Sequence, residues 1–201
     1  MNNCSFICTG MPRVKDDTKI EIIYNATLEL VLETGYTAMK MADVAEKAGM
    51  ATGTMYIYFK NKEELVNQLY IKLKTEKISE MMRGYNTADS FFVSFRKLWH
   101  GYFKSCISKP HRMIFLEQYL RSPYLSAATK KKAEDMLKPL EQFLEAGQKQ
   151  QIIKDYPPQV MINHMVGAVN EIVKYYFDNN KKPSKQVVEN CFSMAWNSVR
   201  N

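Results

Sequence analysis

The sequence predicts an all-α protein of about nine helices, a three-helix helix-turn-helix domain followed by a larger helical domain. Three observations predict it. Apolar residues recur at three- and four-residue steps from Ile20 to Val199, and no stretch alternates with the two-residue period of a strand. Between residues 36 and 62, YTAMKMADVAEKAGMATGTMYIYFKNK, a short helix stopped by glycine is followed at once by another.

Residues 1–14 have mixed polarity and no periodicity, as in a mobile tail. From Asp16 or Thr18, the stripe Ile20, Ile23, Tyr24, Thr27, Leu28, Val31 and Leu32 predicts a first helix ending at Gly35. Met41, Val44, Ala45 and Ala48 make a short second helix, and Gly49 stops it by taking a left-handed conformation. A third helix opens near Thr52, whose hydroxyl is expected to cap it, with Met55 and Phe59 turned inward. Its expected outward set is Thr52, Gly53, Thr54, Tyr56, Tyr58 and Lys60, which contains no acid. Residues 15–62 thus form the first domain. Asn61 is a plausible cap for a connecting helix, residues 63–84, with Glu63 and Glu64 at its positive end and Leu65, Leu69, Leu73 and Ile78 along one side.

Residues 85–201 form the second domain. Phe91, Phe95, Trp99, Tyr102 and Phe103 place a broad aromatic stripe on one helix ending near Lys109-Pro110. His111 to Arg121 is the next, stopped by Ser122-Pro123. Ala127 to Gln151 follows, and Pro139 should kink or divide it by removing a backbone hydrogen bond. Tyr156-Pro157-Pro158 starts a helix running to Asp178, and Ser184 caps the last one, through Val199. These two closing helices are apolar over more than one face, which predicts a partner surface.

Composition narrows the function. No apolar run approaches a membrane span, and MNNCSFICTGMPRVK lacks the pattern of a secretion signal, so a cytoplasmic, membrane-free protein is expected. Cys4, Cys8, Cys106 and Cys191 are too scattered for a disulfide scaffold or a zinc site; Cys4 and Cys8 read as reduced thiols, with redox sensing as the alternative. His100, His111 and His164 lie on different predicted helices. With no metal-ligand spacing, phosphate loop or nucleophile elbow, neither an enzyme nor a cofactor is expected. The net charge of +7 does not by itself argue for nucleic acid. Through Lys62 the bases Arg13, Lys15, Lys19, Lys40, Lys47, Lys60 and Lys62 are balanced by Asp16, Asp17, Glu21, Glu29, Glu33, Asp43 and Glu46. What argues for it is local: Lys40, Lys60 and Lys62 bracket the acid-free third helix.

Gly35-Tyr36, Asp43-Val44-Ala45, Ala48-Gly49, Gly53-Thr54-Met55-Tyr56, Phe59 and Asn61-Lys62-Glu63-Glu64-Leu65 together closely resemble the helix-turn-helix of TetR-like transcriptional regulators. The chain departs from the family at Met39 and Lys40, where a hydroxyl residue usually caps the second helix. That cap is expected to be missing. The resemblance implies a homodimer on a double-stranded, palindromic operator, a repressor released when a small effector moves the fourth helix and changes the spacing of the reading heads.

The DNA contacts expected are Lys40, Lys60 and Lys62 on phosphates, and Tyr56 and Tyr58 on phosphates or sugars. Thr52, Gly53 and Thr54 present N–H groups and hydroxyls, while Ala51, Thr52, Thr54 and Tyr56 read bases. The aromatic and methionine faces are either plain core or the pocket of a hydrophobic or aromatic effector, formed by Phe95, Trp99, Phe103, Phe115, Tyr119, Met136, His164 and Met165. By resemblance the last two helices pair between protomers, through Met161, Val169, Val173, Val188, Phe192 and Trp196. The alternative function is a constitutive DNA-binding and dimerisation module without an effector.

Overall fold

Gly35 ends the first helix of the structure, a computed structural model that describes residues 16–201. The expected tail at 1–14, with Cys4 and Cys8, lies outside the described residues. Helix α1 (Asp17–Ala38) begins at Asp16, whose carboxylate accepts the N–H of Thr18 at 3.0 Å. At Gly35 the backbone turns to φ 77°, ψ 160°, a region that only glycine occupies without strain, and residues 36–38 continue as a turn beyond this kink.

Helix α2 (Met41–Lys47) ends at Gly49, where φ is 65°. The Gly49 N–H donates to the Glu46 carbonyl at 3.0 Å and the Met50 N–H to that of Ala45 at 2.9 Å, the paired bonds of a Schellman motif. As expected, the Lys40 side chain makes no cap at the start of α2; Asp43 instead reaches back to accept the Lys40 N–H at 3.1 Å, so the helix start is held from inside. Helix α3 (Thr52–Tyr58) corrects an expectation. The extended residue before it is Ala51, which places Thr52 within the helix, where its hydroxyl makes no cap.

Ile23, Val44, Ala45, Met55 and Phe59 are buried, and the Tyr24 and Phe59 rings meet at 5.6 Å between centroids. Lys47 ties α2 to α1 through Glu29 at 3.3 Å and Glu33 at 2.8 Å. Helix α4 (Lys62–Met82) starts on a lysine whose ammonium donates to the carbonyls of Tyr36, Thr37 and Met39 at 3.1, 3.3 and 3.1 Å. The same ammonium stands 4.5 Å from the centre of the Tyr36 ring. The division between two compact units falls between Lys62 and Glu63.

In the second unit α4 is followed by α5 (Phe91–Ser108), α6 (Pro110–Leu120), α7 (Ala127–Asp135), α8 (Lys138–Lys149), α9 (Pro158–Asp178) and α10 (Lys185–Val199). Ser90, Ser126 and Ser184 cap α5, α7 and α10 by accepting the N–H groups of Val93, Thr129 and Val187. The described residues thus hold ten helices rather than nine. Pro139 is the reason: it cannot donate in mid-helix but fits a first turn, so the segment divides and restarts as α8. The core joins Phe95, Trp99, Phe103, Leu144, Met161, Val169, Val173 and Phe192. One isolated antiparallel bridge, Ile153 with Arg200, fastens the segment after α8 to the end of α10, with the Lys154 N–H on the Val199 carbonyl at 2.8 Å. Among the described residues no helix is long and apolar enough to cross a membrane.

Two stability predictions follow from these contacts. A Cβ at Gly35 would meet nothing within 4 Å, so Gly35→Ala isolates backbone strain and should cost about 2 kcal/mol in urea unfolding. Lys62→Ala leaves three carbonyls without their donor and should cost about 1–2 kcal/mol in the same measurement, whereas Lys40→Ala at an exposed site should cost less than about 0.5 kcal/mol.

Candidate nucleic-acid interface and ligand cavity

Helix α3 has room for one inward and one outward face. Met55, Tyr58 and Phe59, at steps of three and four, are buried. Thr52, Gly53, Tyr56, Ile57 and Lys60 form the exposed set, with Ala51 exposed just before it. This corrects Tyr58, expected outside: it is 8% exposed, while Tyr56 and Ile57 are 54% and 51% exposed. Ile57 is the residue missed. The three-then-four spacing of Met55, Tyr58 and Phe59 carried the signal, since a helical stripe takes both steps. Thr54 is half-buried.

The cations divide in the same way. Lys40 and Lys60 are exposed on either side of the α2–α3 pair. Lys62, expected on a phosphate, is half-buried and directs its ammonium at three carbonyls, which makes it a holding group of the fold. Asp43 is turned back onto the Lys40 N–H. The exposed face of α3 therefore carries hydroxyls, a phenol, an isoleucine side chain and an ammonium, and no carboxylate.

The second unit contains a cavity of about 790 Å³, within the range of small-molecule sites. Its wall is built from α4 through α9. Tyr70, Ile78 and Met81 of α4, Phe95, Leu98 and Trp99 of α5, Leu116 of α6, Leu144 of α8 and Ile162, Met165 and Val169 of α9 supply apolar surface. Exposed Leu120, Arg121, Glu134, Gln159, Asn163 and Gly167 lie on the side open to solvent. Phe95, Trp99 and Met165 are the expected pocket residues that the structure places in the wall.

The other five stand elsewhere. Phe103 packs into the core beside Trp99, with ring centroids 5.3 Å apart. Phe115 and Tyr119 are buried and stack on each other at 4.5 Å, one position off the face of α6 that supplies Leu116, Glu117 and Leu120. Met136 lies in the break between α7 and α8, its sulfur 4.0 Å from the Thr75 hydroxyl, and Leu137 takes the wall position. His164 is exposed on α9 and is not part of the wall.

Polar groups in the wall are few. The Tyr102 hydroxyl donates to Asn170 Oδ1 at 2.9 Å, and burial lifts this phenol well above its ordinary pKa. Burial also raises the Tyr70 phenol to about 12. Lys74 and Lys77 were missed at the level of sequence. Both are half-buried in the wall, and desolvation is the largest cause lowering each: Lys74 falls to about 8, with the neighbouring Lys77 charge as the second cause. The Lys77 ammonium lies 4.5 Å from the centre of the Tyr102 ring. Tyr70, Lys74, Lys77 and Met81, at steps of four, three and four, trace a stripe that was present in the sequence but broken by charge.

The expected dimer residues divide by burial. Met161, Val169, Val173 and Phe192 are buried in the core of their own chain, whereas Val188 and Trp196 are half-buried against it and keep part of their surface. Val160, Ala168, Tyr175 and Phe177 of α9 and Met194 of α10, the last 72% exposed, are apolar residues facing outward.

Comparison with known proteins agrees with this architecture. Residues 23–69 match the family model of bacterial regulatory proteins of the tetR family, and residues 90–200 match a tetracyclin repressor-like C-terminal domain. An uncharacterised HTH-type transcriptional regulator of Haemophilus influenzae is 29% identical over 103 residues, 51% of this chain and 55% of that protein. The match thus spans about half the length of that relative. Among solved structures, a TetR family transcription regulator from Marinobacter aquaeolei aligns with a TM-score of 0.85 at 22% identity, over 92% of this chain and 97% of that one. The Bacillus subtilis regulator FadR, solved in complex with stearoyl-CoA, aligns with a TM-score of 0.66 at 22% identity, over 87% of this chain and 95% of that one. These likenesses show a shared fold. With its first helices and its C-terminal domain each matched by a model of this kind, the chain belongs to the tetR family of bacterial regulatory proteins.

Proposed function

We propose that this chain is a DNA-binding transcriptional regulator, a repressor that holds a palindromic operator as a homodimer and leaves it when a largely hydrophobic small molecule fills the cavity. The observation that carries the first half is the exposed face of α3. Thr52, Gly53, Tyr56, Ile57 and Lys60 offer hydroxyl, phenol, apolar and cationic contacts with no carboxylate to repel phosphate. Lys40 and Lys60 supply phosphate neutralisation. Tyr56 donates to a phosphate or meets a base edge, and Ile57 suits a thymine methyl.

The cavity supports the second half. About 790 Å³ lined mainly by aliphatic and aromatic side chains suits a bulky hydrophobic effector. FadR of Bacillus subtilis, a neighbour in fold, was solved with stearoyl-CoA, and a long apolar ligand is consistent with the wall described here. Helix α4 offers the coupling. Its first residue holds the turn after α1 through three carbonyls, and its later turns supply Tyr70, Lys74, Lys77 and Met81 to the cavity wall. A ligand whose affinity differs between two positions of this helix biases the spacing of the reading heads. Dimer contact is assigned to the outward apolar residues Val160, Tyr175 and Met194.

The test is operator binding by fluorescence anisotropy, with an operator selected from random duplexes. Tyr56→Ala should weaken it by about tenfold and leave the melting temperature unchanged. Tyr58→Ala should lower the melting temperature through lost burial. Wild-type protein that binds the selected duplex no better than random DNA, or an unchanged Tyr56→Ala affinity, would refute the reading face. The effector half predicts that some compound raises the melting temperature and releases operator at the same concentrations, because a ligand specific to the native state must stabilise it.

A further inference from the structure

We infer that the cavity takes an amphipathic anion, its acid group held between Lys74 and Lys77 and its apolar body lying against Phe95, Trp99, Leu116 and Val169. This rests on the reading of the cavity as the effector site and names the class of molecule it accepts.

The argument begins with where α4 sends its lysines. Lys72 pairs with Glu76 on its own helix, and further along the unit Lys109 pairs with Glu80 and Lys174 with Glu171. Lys74 and Lys77 do not follow this pattern. Among the described residues no carboxylate lies within ion-pair distance of either ammonium, although both side chains line a wall that is mostly apolar. They sit three residues apart on one helical face, and the Lys77 charge raises the cost of charge on Lys74. The Lys77 ammonium faces the Tyr102 ring and hydrogen-bonds the Cys106 thiol; Cys106 and the Glu117 charge favour the charged form, yet desolvation remains the largest influence and keeps its pKa lowered. The charged groups facing the same cavity from the other helices are Glu117 and Arg121 of α6, Glu134 of α7 and Glu141 of α8. Glu117 is engaged by Lys174 at 3.4 Å.

A like-charged pair held in a desolvated wall is repelled by cationic ligands and gains nothing from neutral ones. It gains from one negative group placed between the two ammoniums, which satisfies both and forms charge-assisted hydrogen bonds. A carboxylate and a phosphate share that chemistry. The apolar remainder of the wall then selects a molecule with a hydrocarbon or aromatic body behind the acid, as a free inorganic anion would leave that surface unfilled.

Four probes with one chain length separate charge from apolar burial: dodecanoate, dodecyl phosphate, 1-dodecanol and dodecyltrimethylammonium. Binding to the full chain is measured by titration calorimetry below each micelle concentration. The better anion should bind at least about tenfold tighter than the alcohol, and the ammonium should bind weakest. The ranking of the two anions names the acid group. In the Lys74→Gln/Lys77→Gln double variant this preference should vanish while dodecanol binding is retained. The variant should melt no lower than wild type, because two repelling charges have been removed. If it fails to fold, single Lys74→Gln serves, with a partial loss expected. Equal affinity of alcohol and anions, or an anion preference that survives the double variant, overturns the lysine assignment but leaves the effector reading standing. No saturable binding of any probe also overturns it, while the effector reading is judged separately by release of operator.

Discussion

One ammonium fastens the turn after α1 to the first residue of α4. Lys62 is the first residue of α4, and its Nζ donates to three carbonyls in the turn opened by Gly35. Carbonyls released by a helix end need donors, and a charged donor that satisfies several at once is strong because it is multiply bonded and partly shielded from water. The turn can exist because glycine tolerates φ 77°, ψ 160°, and it is held because a lysine reaches back to it across 26 residues of sequence. This long-range contact lies within the first compact unit, and the later turns of α4 line the cavity of the second.

The placement of charge explains why the excess of +7 is a poor guide to the DNA face. Lysines in this chain serve four different physical ends. Lys47 links two helices through Glu29 and Glu33; Lys62 binds carbonyls; Lys40 and Lys60 remain on the exposed side of the α2–α3 pair; Lys74 and Lys77 are drawn into an apolar wall. Under the proposed function only the third group would meet DNA phosphate. Removing the acid matters as much as placing the base: Asp43 sits in the first turn of α2, and its carboxylate is committed to the Lys40 N–H.

Much of the fold was legible because helical periodicity, glycine stops and serine caps act locally. Gly35, Gly49 and Ser184 end or begin helices where the sequence places them, and Pro139 divides its segment as a residue without an N–H must. The sites were less legible because a stripe tells which residues leave solvent, not which neighbour receives them. On α6 the rings of Phe115 and Tyr119 go to the core, and the adjacent Leu116, Glu117 and Leu120 face the cavity. On α3 a reading that followed only the four-residue step put Tyr58 outside and overlooked Ile57. Lys74 and Lys77 were hidden by the opposite assumption, that charge on a helix marks its solvated face.

Helix α9 shows why its most apolar residues could not also be the partner surface. It serves three directions at once: Met161, Val169 and Val173 complete the core, Ile162, Val166 and Asn170 reach the cavity, and Val160, Ala168 and Tyr175 face out. A residue buried to within a few per cent on its own chain has little area left to give a second one, so the third set is the part of α9 that the proposed dimer could use. Gly167 and Ala168 lie exposed on the same stretch of the helix, and a Cβ added at Gly167 would meet nothing within 4 Å. Because interiors are close-packed, a ligand pressing on Ile162 or Val166 would, under the proposed function, act on the same helix that carries Val160 and Tyr175. Both α4 and α9 line the cavity, so under the proposed function its occupancy would bear on the two helices together.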